Sequence, residues 1–362
     1  MRVPGSLLLA ACVAGCATPA PAPLTALAWP EADALFRRDP RWLGADAALS
    51  VDLRNDTTLW LFGDTFVAKG DPATRRNSVM VRNSIAIQRG RDPRDASITM
   101  HWGAGPGSFF PEDGAVWHWP GHGVRLGADG PLVLFLLRVR ATPGEGLGFA
   151  GAGWRIVVID APEQPPAQWR PRWLAPPPAP FDAVVGTAVV EEGAHLIAVA
   201  IREAGVHAGH LARFHTDDLR AGRARAPEWW QGGRWVAQDA LHGPPDVVLP
   251  DAGAECSLHF DPRRGRWLHV ASRGFGATTI AVRESHALTG PWSGPVDVFT
   301  PPESRSARPF VYAAKAHPEL RAPHPGEVLL TYAANSFEFG DLFTPEGERG
   351  LYWPRFVRLR VR

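Results

Sequence analysis

Asp46 and Asp64 stand towards the two ends of residues 44–66, a stretch that reads as two short strands joined by a polar turn at Asn55 and Asp56. Each sits where an apolar strand pattern would place an inert side chain. Two carboxylates at one end of a hairpin are the minimum equipment for hydrolysing a glycosidic bond. One protonates the leaving oxygen, and the other attacks the anomeric carbon or activates water. Glu255 opens a further apolar strand, Cys256-Ser257-Leu258-His259-Phe260, and is a third carboxylate of the same kind. The competing role for either aspartate is turn capping, because Asp readily bonds its own backbone.

Carboxylates so far apart along a chain need a fold that returns strand ends to one place. Helical periodicity is nearly absent and confined to residues 30–36, while short apolar or alternating runs are punctuated by Gly, Pro, Asp and Asn. Five apolar segments end in a polar or charged group, at residues 59–64, 134–138, 196–202, 267–273 and 328–335. Each follows a turn and another strand, at 46–53, 122–126, 186–190, 255–260 and 311–317. The repeat, roughly 55 to 75 residues long, predicts an all-β fold: a single five-bladed β-propeller of four-stranded antiparallel blades over residues 30–362. A large β-sandwich is the alternative.

In a propeller the first strand of each blade lines a central channel, so residues at one end of these strands converge in a funnel. The expected funnel set is Asp46, Trp117, His118, Trp119, His122, Gly186, Glu255, Lys315 and His317, with Asp64, Arg138, Arg202, Arg273 and Asn335 behind them. So many ionisable groups at part-buried positions must be paired or functional. Asn83, Arg138 and Asn335 are expected to hold sugar hydroxyls and Trp117 and Trp119 to offer stacking faces. His122, Lys315 and His317 complete the candidate substrate-binding set, although histidines at such positions are more often structural hydrogen-bonding groups than ligands. Fifteen Trp against three Met and three Tyr is a surplus that suits stacking on flat or sugar ligands.

A net charge of +1 without a basic run argues against nucleic acid as a partner. Arg2 and the apolar Leu7-to-Ala14 core read as an export signal, too short to span a membrane. Val13-Ala14-Gly15-Cys16 resembles the lipobox of bacterial lipoproteins, with Leu9-Ala10-Ala11-Cys12 as a second match. The expected division is a signal over 1–16 with Cys16 lipidated, a Pro/Ala-rich tether over 17–29, then the propeller. This places a monomer at the cell envelope through a lipid anchor. Cys256 is the one cysteine beyond the signal, which excludes an intramolecular disulfide in the mature chain. The chemistry requires no cofactor, and a structural cation in the channel is compatible with it.

Gly44-x-Asp46, Leu59-Trp60-Leu61-Phe62-Gly63-Asp64-Thr65-Phe66 and Met80-Val81-Arg82-Asn83-Ser84 together resemble the opening blade of a group of secreted bacterial five-bladed propellers. That group, long catalogued as a domain of unknown function, includes endo-D-arabinanases. The segment from Tyr312 to Leu320 with Leu330-Thr331-Tyr332-x-x-Asn335 resembles its last blade. The resemblance implies Asp46 and Asp64 as the catalytic pair. The more distantly similar propeller glycosidases acting on arabinan, xylan and fructan imply instead a first-blade Asp with a later Glu, here Asp46 with Glu255. Either way the implied substrate is a polysaccharide or glycoconjugate; a non-catalytic carbohydrate-binding propeller is the other function class.

Overall fold

The computed structural model describes residues 23–144, 148–202, 207–274 and 276–361. Its strands form five antiparallel sheets arranged as the blades of a propeller. The innermost strands are Trp42–Arg54, Val116–Arg125, Val184–Glu192, Cys256–Asp261 and Pro309–His317. Each hairpins onto a second strand: Thr57–Ala68, Leu132–Ala141, His195–Ile201, Arg266–Arg273 and Glu327–Ser336. The expected repeat coincides with these ten strands. Blade three carries a fifth strand, and blade one a short extra strand, Ser78–Val81, on the edge of Thr57–Ala68.

The ring closes through the N-terminus. Thr25–Ala28 pairs antiparallel with Arg355–Arg360 and is the outermost strand of blade five. This corrects the expectation of a tether over 17–29, because the β-structure begins before residue 30. Its backbone groups find partners on Arg355–Arg360, so that longer strand is covered and the outer edge of the blade passes to a strand of four residues. Cys16 and the rest of the expected export signal lie outside the described residues, among which no helix is long and apolar enough to cross a membrane.

The core sits between blades. Phe36, Trp42, Trp60, Phe62 and Phe356 pack where blades one and five meet, while Phe135, Trp154, Phe214 and Trp229 fill the space between blades two and three. The surplus of tryptophan is therefore largely a matter of packing: Trp29, Trp42, Trp60, Trp117, Trp154, Trp169, Trp229 and Trp353 are all buried. Among the described residues the exposed aromatic side chains are phenylalanines: Phe149, Phe260, Phe337 and Phe339.

Four of the five inner strands lose register where they face the channel. The slips fall at Ala45–Leu49, Pro120–Gly123, Val185–Val189 and Tyr312–Lys315. Ala47, Ala48 and Ala313 adopt left-handed backbone angles of 70°, 56° and 60°, each at a cost of about 1–2 kcal/mol for an L-residue. Bulges re-aim side chains and concentrate next to active sites.

Candidate active site

The slip in blade one sets the two aspartates against each other. Ala45 pairs with Thr65 and Ala47 with Phe62, so Asp46 alone faces Gly63 and Asp64. A Cβ on Gly63 would run into Asp46 Oδ1, so only glycine lets the carboxylate lie over this backbone. Gly44, at a φ of 111°, lies against the Tyr352 carbonyl in the same way and brings the C-terminal segment onto blade one.

Two hydroxyls converge on Asp46 Oδ2: Tyr312 Oη donates at 3.3 Å and Tyr352 Oη at 3.2 Å. Burial, then the charges of Asp64 and Glu255, hold Asp46 well above the usual carboxylate range, with the two tyrosine bonds opposing. Burial likewise raises Asp64, against Trp119 Nε1, which donates to Oδ1 at 2.9 Å, and Arg82, which donates to Oδ2 at 3.3 Å. Both tyrosines are pushed well above their ordinary range by burial and by the Asp46 charge. They are therefore O–H donors throughout the neutral range.

Glu255 enters from blade four. Lys315 Nζ donates to its Oε2 at 3.2 Å and to the Ala47 carbonyl, beside Asp46, at 2.6 Å. Lys315 is 2% exposed and supplies the buried positive charge that three converging carboxylates need. Asp46 thus lies within reach of the charges of both Asp64 and Glu255. Lys315, placed in the substrate-binding set by its sequence position, instead ties blades five, four and one together. Among the described residues no three His, Cys, Asp or Glu side chains are grouped to hold a metal ion.

Several other expected ligands are sealed in the structure, which corrects their assignment. Asn83 spends its amide on the Phe110 and His118 carbonyls and its Oδ1 on the Phe110 amide, clamping residues 108–110 to blade two. His317 is fully buried between Ser50 Oγ at 2.6 Å and Thr331 Oγ1 at 2.7 Å. His122 accepts from the Val189 amide at Nδ1 and meets the Ser50 carbonyl at Nε2, which fixes a neutral tautomer. Burial lowers His122 to about 4 and takes His317 well below its ordinary value. Both histidines are structural pins of the channel.

Arg138 turns to Asp113 at 3.6 Å and the Ala152 carbonyl, away from the carboxylates. Trp117 is buried beneath Arg82, whose guanidinium lies 4.4 Å from its ring. His118 is buried against the Pro111 carbonyl. Arg273 pairs with Asp297 on the surface, and Arg202 lies over Phe181. Asn335 does reach the site, through a bond to Tyr312, and Trp119 reaches it as an Asp64 ligand. Cys256 is free and buried, its thiol pushed up to about 12 by burial.

Sequence reasoning missed Tyr312 and Tyr352 as site residues. The available signal was scarcity: the chain has three tyrosines, and two of them bond Asp46.

No curated protein matches the sequence. Among solved structures, a candidate hydrolase from Bacteroides ovatus ATCC 8483 has a TM-score of 0.71 at 16% identity, over 93% of this chain and 90% of that one. A xylan β-1,4-xylosidase from Bacillus halodurans C-125 has a TM-score of 0.47 at 11% identity, over 89% of this chain and 56% of that one. A GH62 α-L-arabinofuranosidase from Coprinopsis cinerea has a TM-score of 0.48 at 9% identity, over 88% and 92%. The first of these shares the propeller fold; at such identities nothing beyond the fold is carried over. Residues 31–361 match the profile of a domain of unknown function, DUF5005, and the chain belongs to that family.

Proposed function

We propose that this DUF5005 propeller hydrolyses glycosidic bonds in a polysaccharide or cell-envelope glycan, with arabinan among the candidate substrates. The observation that carries the reading is the convergence of Asp46, Asp64 and Glu255, with Asp46 held well above the usual carboxylate range by burial and by the other two charges. Environments that push neighbouring acids apart assign the acid and base roles. Asp46 keeps the proton and delivers it to the glycosidic oxygen. Asp64, which receives bonds from Arg82 and Trp119 at both oxygens, is the ionised partner. It attacks the anomeric carbon or draws a proton from the attacking water. The separation of the two carboxyl groups in the complex decides retention or inversion.

One observation favours Glu255 as the partner in place of Asp64: it too presses on Asp46, and Lys315 holds it as an ion pair. Release of reducing ends from arabinan, arabinogalactan, xylan and fructan tests the whole reading, with Asp46→Asn, Asp64→Asn and Glu255→Gln compared in parallel. Activity surviving Asp46→Asn would sink it. Loss of activity in Asp64→Asn with retention in Glu255→Gln assigns the partner, and the reverse pattern exchanges the two. Glycan binding by every variant without turnover by any protein would favour a carbohydrate-binding propeller.

The export signal supports a lipid anchor at Cys16, placing the propeller at the envelope surface. Mass spectrometry of the N-terminal peptide from the membrane fraction tests this. An unmodified peptide beginning elsewhere would overturn it.

A further inference from the structure

We propose that the end of the propeller opposite the carboxylates, at blades four and five, docks on an anionic phospholipid surface and leaves the funnel facing away from the membrane. This rests on the lipid anchor at Cys16 proposed above and is independent of the glycosidase reading.

The course of the chain sets the orientation. Thr25 pairs with Arg360, and Arg360 pairs with Glu327 at the start of the second strand of blade five. That strand runs to Ser336, with Asn335 bonded to Tyr312 at the site end. Glu327 and Asn335 are eight residues apart, about 27 Å at the rise of an antiparallel strand. The chain therefore enters the body nearly a full blade height from the site. Leu24 is already fixed there, buried in the core of blades four and five. Cys16 precedes Leu24 by eight residues, which even fully extended reach at most about 28 Å. A bilayer facing the funnel would demand nearly all of that reach, whereas one under the far end demands little of it.

The far end carries the chemistry for such a surface. Phe260, 47% exposed, is next to last in the inner strand of blade four, its ring 5.6 Å from Trp267. The turn that follows presents Arg263, and the turn before Glu327 presents Arg321. Both arginines are exposed, and neither forms an ion pair among the described residues. The acids of the same two blades at this end are paired or buried. Glu327 is held by Arg358 and Arg360, and Glu284 by Arg264. Asp261 is buried and accepts the Arg263 and Arg264 amides. Uncompensated arginine beside an exposed aromatic ring suits the headgroup region of anionic lipid. A propeller so held presents its carboxylates to glycans standing off the membrane, not to the headgroups of its own leaflet.

The test labels the lipidated protein on vesicles of equal parts phosphatidylglycerol and phosphatidylcholine with a membrane-impermeant maleimide. Cys256 is free but buried, so an introduced cysteine reports alone. His324→Cys, at an exposed position, marks the far end, and Phe339→Cys, beyond Ser336, marks the funnel side. Two arginines at an anionic surface favour the docked arrangement about 30-fold. His324→Cys should therefore label about 10- to 30-fold more slowly on these vesicles than in detergent, with Phe339→Cys equally fast in both. Adding Arg263→Glu and Arg321→Glu should restore fast labelling of His324→Cys and leave Phe339→Cys unchanged. Protection of Phe339→Cys, or of neither position, with lipid present on Cys16, overturns the docking and leaves the anchor standing. Protection that survives the charge reversal also overturns it, because tethering alone would then shield that end. A free Cys16 thiol, itself labelled, sinks the anchor and the docking with it.

Discussion

The two tyrosine bonds offer a direct probe of the Asp46 proton. Each hydroxyl donates to the same oxygen and stabilises the ionised carboxylate. A hydrogen bond to a charged group contributes about 1.5–3 kcal/mol. At 3.3 and 3.2 Å these are longer than the short bonds formed with carboxylates at their strongest, so the lower end applies. About 1.5 kcal/mol corresponds to about one pH unit. Tyr312→Phe and Tyr352→Phe should therefore each move the Asp46 titration upward by about one pH unit. If Asp46 works protonated, the basic limb of kcat/KM moves upward by that amount on whichever glycan is turned over. If it works ionised, as nucleophile or base, the acid limb moves upward and neutral activity falls. Carboxyl carbon-13 titration reads the same shift without a substrate. A titration that stays put in both variants would refute the reasoning, because the hydroxyls would then have no hold on Asp46.

Gly63→Ala should cut kcat at least tenfold, since the new Cβ displaces the Asp46 carboxylate; an unchanged rate with unchanged circular dichroism would contradict the close approach. Lys315→Met should cost about 2–4 kcal/mol in urea unfolding, because it leaves Glu255 and the Ala47 carbonyl without their buried cation; a loss near zero would mean that the ion pair contributes little. Burial raises Glu319, just past the inner strand of blade five, from 4.5 to about 7. Its contribution to stability is therefore full below pH 4.5 and is lost as pH rises through 7, a span that caps the effect at about 3 kcal/mol. Glu319→Gln should gain stability relative to the unsubstituted protein between pH 4.5 and 8, by about 1–3 kcal/mol; a flat difference across that range would place Glu319 in water.

The propeller was legible because its repeat lives in the two inner strands of each blade, where burial on both faces imposes a nearly continuous apolar run. Leu59 to Phe62, Leu132 to Leu136 and Leu196 to Ile201 carry this signal in residues that are almost wholly buried. The closing strand was not legible. Thr-Ala-Leu-Ala has no pattern of its own, and it becomes a strand only by pairing with Arg355–Arg360. Asp46, Asp64 and Glu255 could be expected near one another because Asp46 lies on the inner strand of blade one, Asp64 on the strand paired with it, and Glu255 immediately before the inner strand of blade four. Tyr352 could not: it arrives from an irregular turn after the short helix Pro345–Gly350, with a left-handed φ of 63°. Arg75 holds that segment by donating to the Leu43, Leu342, Gly347 and Leu351 carbonyls. Asn83 and His317 were misread because residue type does not reveal whether a polar group is already satisfied by its neighbours.

The channel beneath the site bears on what sets the Asp46 proton. His122, His259 and His317 are all kept neutral by burial, so none changes charge near neutral pH. Lys315 is the cation that faces Glu255, and Arg82 the one that faces Asp64. With no histidine titrating below it, Asp46 answers chiefly to its own burial, to Asp64 and Glu255, and to the two tyrosines. Glu255→Gln removes one of the charges pressing on Asp46 and should move its titration downward, opposite in sign to the tyrosine substitutions. Carboxyl titrations of Glu255→Gln and Tyr352→Phe, run side by side, therefore make a sign test. Opposite shifts place both groups in electrostatic contact with one carboxylate. Shifts in the same direction would mean that the substitutions act by rearranging the funnel, and the three-acid cluster would then lose its claim to set the proton.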